Sequence, residues 1–138
     1  MKNTIHNYFT LVTAITEGIK ISVDTVYQDE YSNPEKEHFM FAYQITVENL
    51  TEYTIQLMRR QWFIFDSNGT QREVEGEGVV GLQPVIESGE SYSYVSGCNL
   101  TTDIGSMSGS YLMHRMADDM DFTVNIPEFQ LIVPYRLN

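Results

Sequence analysis

The sequence predicts an all-β protein, an antiparallel β-sandwich of seven to eight short strands. Three observations carry that expectation. Apolar residues recur with a period of two along much of the chain, as they do in half-buried strands. Short stretches of turn chemistry, among them Asn68-Gly69 and Ser88-Gly89-Glu90, separate those runs. No segment sustains the 3.6-residue periodicity of an amphipathic helix.

Taken in order, residues 1–15 read as a peripheral extension, and residues 16–138 as the single domain. "GIKISVDTV" is the first strand, with Ile19, Ile21 and Val23 on one face. "YQDEYSNPEKEH" is a solvated loop holding Asn33-Pro34. From Phe39 to Val47 the alternation is clean: Phe39, Phe41, Tyr43, Ile45 and Val47 share a face. "IQLMRRQWFIFD" has mixed phase, which a bulge near Arg59 and Arg60 or burial on both faces would produce. Asn68-Gly69 signals a hairpin in which both residues tolerate positive φ, leading into a short strand "QREVE". "SYSYVSGCNL", "MSGSYLMHRM" and "FTVNI" follow, and after Pro127 a last strand "EFQLIV". Pro127 and Pro134 are placed at edges or strand ends, because neither can donate a ladder hydrogen bond. A sandwich of immunoglobulin or fibronectin type III kind fits this pattern. Cys98 is the only cysteine, so the usual inter-sheet disulfide cannot form, which favours the fibronectin-like version.

A chain of 138 residues suits one domain with a real core. Hydrophobic residues at 42% and charged residues at 20% give a globular rather than a disordered composition. The formal net charge of -11 repels phosphate backbones and anionic lipid, and there is no basic stripe; nucleic acid and membrane surfaces are therefore not expected partners. No run of 18 apolar residues and no signal-peptide core is present, so the expectation is a cytoplasmic protein without membrane insertion. A homo-oligomer is compatible with all of this.

Several separated motifs in the right order resemble the ApaG domain family: "EGIKISV", "FAYQITVEN", "QLMRRQW", "VEGEGVVGLQP", "SGESYSYVSG", "MSGSYLM" and "FTVNIPEFQL". The resemblance covers roughly residues 16–138 and implies a fibronectin type III-like fold. For function it implies a non-enzymatic binding domain, a protein-interaction module associated with cobalt and magnesium homeostasis. Eukaryotic relatives in F-box adaptors and a polymerase-interacting protein resemble protein-binding modules, and no reaction is implied. The chain departs from the family pattern at Gln61, where His is common, and at Ser88, where Pro is common.

The stretch "EGEGVVGLQP" places Gly76, Gly78 and Gly81 in G-x-G-x-x-G spacing. In a dinucleotide fold such a loop opens a helix, but here "LQPVIESGE" follows and offers none. The glycines are expected to serve backbone geometry first. A backbone nest could still hold an anion, yet Glu73, Glu75 and Glu77 would repel it unless a divalent ion, magnesium or cobalt, bridged them. Glu75 and Glu77 are thus the candidate metal ligands, in the alternative reading of a cation-dependent nucleotide polyphosphate sensor. Arg60 and Trp62 are two apart on a strand, so a guanidinium could stack on the indole; with Arg72, Gly76, Gly78 and Gly81 they complete the candidate contact set for a protein partner or ligand. The acidic turn holding Asp118, Asp119 and Asp121 reads as solvated hairpin charge, and His114 as a half-buried strand residue. No catalytic residues are identified: a nucleophile elbow is absent, and pairing Cys98 with His114 has no support.

Overall fold

A computed structural model of the protein describes residues 11–137. Nine strands form two antiparallel sheets: β1 (Val12–Thr16), β2 (Ile19–Tyr27), β3 (Phe39–Asn49), β4 (Ile55–Asp66), β5 (Gln71–Glu77), β6 (Val85–Ile86), β7 (Ser91–Leu100), β8 (Ile104–Arg115) and β9 (Met120–Ile132). One sheet runs β1-β2-β3-β7; the other runs β5-β4-β8-β9, with β6 also pairing β4. The sandwich is as the sequence predicts. Residues 12–16, expected within or beside a peripheral extension, form β1, which pairs with β2 at the edge of the first sheet. Residues 1–10 lie outside the described residues.

The period of two becomes burial directly. Ile19, Ile21 and Val23 of β2 and Phe41, Ile45 and Val47 of β3 are almost completely enclosed. In β4 the buried set is Ile55 and Leu57, then Trp62, Ile64 and Asp66, so the phase flips partway along the strand. The cause is a bulge against β8, where the register shifts between Leu57 and Arg59. The extra residue is Met58, just before the expected position, and both ends of β4 can therefore bury their apolar residues.

A second shift lies between β8 and β9: Met107 pairs with Phe129, but Gly109 pairs with Ile126. Pro127 and Glu128 form the bulge. Pro127 thus does not separate two strands; β9 runs through it, because at the sheet edge the absent N–H leaves no ladder partner unsatisfied. At Asn68-Gly69 only the glycine takes positive φ, 94°. Asp66 N–H donates to Thr70 O, and Asn68 Oδ1 accepts from Thr70 N–H, which makes a three-residue loop rather than the two-residue turn.

Two side-chain contacts tie the sheets together. Trp62 of β4 lies between Tyr43 of β3 and Phe129 of β9, with ring centroids at 5.4 and 5.9 Å and planes at 64° and 87°. The buried hydroxyls of Tyr94 on β7 and Tyr111 on β8 hydrogen-bond each other across the sandwich. Burial raises the pKa of both tyrosines, so they remain neutral.

Removing one of these hydroxyls strands the other in an apolar setting. Tyr111→Phe is expected to cost about 1–3 kcal/mol, and the Tyr94→Phe, Tyr111→Phe double variant clearly less than the sum of the two singles. Urea unfolding of the four proteins measures this.

Candidate functional site

The glycine stretch is the end of β5 and the hairpin that returns the chain to β6. Gly76 pairs with Arg60. The Arg60 guanidinium lies over the Gly76 backbone, where a Cβ would sit 3.1 Å from Nη1. That Nη1 donates to the carbonyls of Glu77 and Gly78, at 3.0 and 2.9 Å. Gly78 has φ 62°, and a Cβ there would stand 2.0 Å from Leu82 O, so only glycine fits. Val79 N–H donates to Leu82 O at 2.7 Å and Leu82 N–H returns to Val79 O at 3.0 Å. Between them Val80 (φ 48°) and Gly81 (φ 79°) are both left-handed, the geometry of a type I′ turn.

The base of this hairpin is fastened to the β4 bulge. Met58 O accepts from Gly78 N–H at 2.8 Å and from Gln83 Nε2 at 2.9 Å. Leu57 N–H donates to Pro84 O, and Gln56 Nε2 to Gln83 O. Val79 is buried in the core, whereas Val80 is 62% exposed, Leu82 57% and Val85 51%. The loop does not resemble an anion nest, because the amides of Gly78, Val79 and Leu82 already donate to carbonyls. What the hairpin presents to solvent is apolar side chains on a fixed base.

The other candidate residues divide between two faces. Strand alternation places Arg72, Val74 and Gly76 on the face toward the other sheet, opposite Ile64, Trp62 and Arg60, although Arg72 and Val74 stay exposed at this edge, and turns Glu73, Glu75 and Glu77 to the opposite face beside Phe63, Gln61 and Arg59. The carboxylates expected to repel an anion at the glycines thus lie on the opposite face from Arg60 and Arg72. Among the described residues no group of three or more His, Cys, Asp or Glu is arranged to hold a metal ion, and Glu75 and Glu77 belong to none. Trp62 is a correction. It shares a face with Arg60 as expected, but that face turns toward the other sheet; Trp62 is 3% exposed and packs on Tyr43 and Phe129, so it offers no open platform and meets solvent only within the lining of the narrow cleft beside Arg60. Arg60, by contrast, does adjoin the Gly76–Pro84 loop through its bonds to the Glu77 and Gly78 carbonyls. Arg72 Nη2 reaches across to β7, donating to Asn99 O and to Cys98 Sγ at 3.6 Å. Burial pushes the Cys98 thiol pKa up, with Arg72 partly opposing it, so this is not an activated nucleophile.

The acidic turn is more organised than solvated charge. His114 Nδ1 bonds Asp121 at 2.7 Å and Nε2 bonds Asp119 at 3.2 Å, while Arg115 makes a two-pronged contact with Asp118. His114 and Asp121 are direct cross-strand partners, a pairing that becomes visible only once the β8–β9 register is known.

Two predictions follow from this geometry. A β-branched residue in the left-handed region is strained by about 1–2 kcal/mol. Val80→Asn is therefore expected to raise stability by roughly 0.5–1 kcal/mol in thermal unfolding, and no gain would show the turn to be relaxed. The second concerns pH. The hydrogen bonds to Asp121 and then Asp119 raise the His114 pKa. Its contribution is fully present below the unfolded imidazole value of about 6.5 and is lost as pH rises through the higher folded value. His114→Gln is thus expected to lose stability relative to wild type at about pH 5.5 and to match it more closely at about pH 9, in urea unfolding at the two values.

Comparison with known proteins agrees with the geometry. The sequence model of the ApaG domain matches residues 29–115. Protein ApaG of Vibrio cholerae is 51% identical over 120 residues, spanning 87% of this chain and 94% of that protein. Protein ApaG of Brucella abortus is 44% identical over 124 residues, spanning 90% and 95%. Among solved structures, a protein named ApaA from Bordetella pertussis superposes with a TM-score of 0.81 at 38% identity, covering 84% of this chain and 94% of that one. A sandwich with this strand order, this hairpin and these relatives belongs to the ApaG domain family.

Proposed function

We propose that the protein is a binding module that acts without catalysis and takes a protein partner on the tip of the Val79–Leu82 hairpin between β5 and β6. The observation that carries this reading is the combination at Val80: a β-branched residue in a left-handed turn, exposed, beside the exposed Leu82 and Val85. Asn or Gly at that position would relieve the backbone, and a polar residue would suit the solvent. Strained backbone of this kind collects at contact sites, where the side chain is needed by a partner. Fully burying a Val or Leu side chain is worth about 1.5–3 kcal/mol, so three of them can anchor an interface. The base is already fixed by Met58 and by buried Val79, so little ordering opposes binding.

The family association with cobalt and magnesium homeostasis then runs through the partner. Nothing in the arrangement of Glu75 and Glu77 favours a cation-bridged polyphosphate at the glycines.

Photo-crosslinking in cells tests the reading. A crosslinker at position 82 is expected to give a discrete protein adduct that is absent when the crosslinker replaces Gln130 on β9. Val80→Asp is expected to weaken the adduct roughly tenfold or more, as loss of an interface anchor does. Identical adducts from both positions, or one indifferent to Val80→Asp in folded protein, would overturn it.

A further inference from the structure

We infer that the cleft between the edge strands β5 and β7 is an anion site that needs no metal ion, and that it takes a single carboxylate or phosphate carried on a small organic body. Both strands are sheet edges, and between them the two sheets enclose a cavity of about 200 Å³. Arg60 and Arg72 line it from one sheet, and Ser96 and Asn99 from the other.

The charge on these arginines is the central observation. The chain carries a formal net charge of -11, yet among the described residues the ion pairs use Lys20, His114 and Arg115, and neither cleft arginine has a carboxylate partner. Among the described residues Arg60 donates to protein only through Nη1, and Arg72 only through Nη2. That leaves the Nε–Nη2 fork of Arg60 and the Nε and Nη1 donors of Arg72. Such a fork is the geometry that binds carboxylate or phosphate through two parallel bonds. The backbone contacts already made hold each guanidinium in place, so less rotamer freedom remains to be lost on binding.

Local electrostatics favour the same ligand. Glu73, Glu75 and Glu77 face away from the cleft, and Asp66, the carboxylate whose charge reaches Cys98, is taken up by Thr101 and Thr102, so no bridging cation is required. Val74 and Met107 supply an apolar wall for the carbon part of the ligand. The volume falls below the roughly 300 Å³ at which drug-sized sites begin, which suits one charged group with a few carbons held inside the cleft.

The inference stands apart from partner binding at the hairpin tip and can fail alone. The test is a titration of the isotopically labelled full chain by NMR with phenyl phosphate, benzoate and inorganic phosphate, with excess EDTA throughout. Expected are shifts at Val74, at Ser96–Asn99 and at the Nε–H signals of Arg60 and Arg72, with phenyl phosphate binding more tightly than inorganic phosphate. Arg72→Gln should weaken binding about tenfold and Arg72→Lys less, because the ammonium keeps the positive charge that the amide lacks. Silence at roughly 10 mM ligand, shifts confined to the outer face of β5, a requirement for magnesium, or undiminished affinity in folded Arg72→Gln would each overturn it. Should Arg72→Gln fail to fold, the two wild-type Nε–H signals decide: perturbation supports the site, and no change refutes it.

Discussion

The extra residue at Met58 is the constraint from which most of the molecule follows. A regular β4 could bury either Ile55 and Leu57 or Trp62 and Ile64 on one face, but not both pairs. The bulge reverses the phase between them, and all four become interior. The same irregularity leaves the Met58 carbonyl out of the regular ladder, where Gly78 and Gln83 take it up. Core packing, the fastening of the hairpin and the inward direction of Arg60 thus share one origin. A bulge that served only to relieve local crowding would not also hold a distant loop.

The strands themselves were largely legible, because alternation over nine to thirteen residues is a strong signal and β2, β3 and β7 show it without interruption. The phase flip in β4 was legible too. Its position was less so: the pattern shows that the reversal falls between Leu57 and Trp62, and only the pairing with β8 identifies Met58 as the extra residue. Pro127 was rightly placed at an edge yet read as dividing two strands, for a related reason. A proline reads as a break when the strand is central and as a bulge when it is at an edge, and edge status belongs to topology rather than to local sequence. β1 escaped notice because its side chains are only half buried.

Register also separates what was readable of the site from what was not. That Gly76 and Gly78 serve backbone geometry could be argued from the absence of a following helix. That the missing Cβ of Gly76 makes room for Arg60 could not, since it depends on which residue of β4 stands opposite. The same gap explains Trp62. A tryptophan two residues from an arginine has a face in common with it, but whether that face is wet or dry is decided by the sheet on the other side. Charge followed the same rule: three glutamates close in sequence to Arg72 point away from it, so proximity along a strand gave the wrong electrostatics and alternation gives the right one.

The position of Trp62 has an optical consequence. As the chain's only tryptophan, wedged between Tyr43 and Phe129, it dominates the intrinsic emission and reports from the dry interface of the two sheets. One edge of the indole also borders the cleft between β5 and β7. The protein therefore carries a built-in fluorophore for unfolding and for whatever enters that cleft.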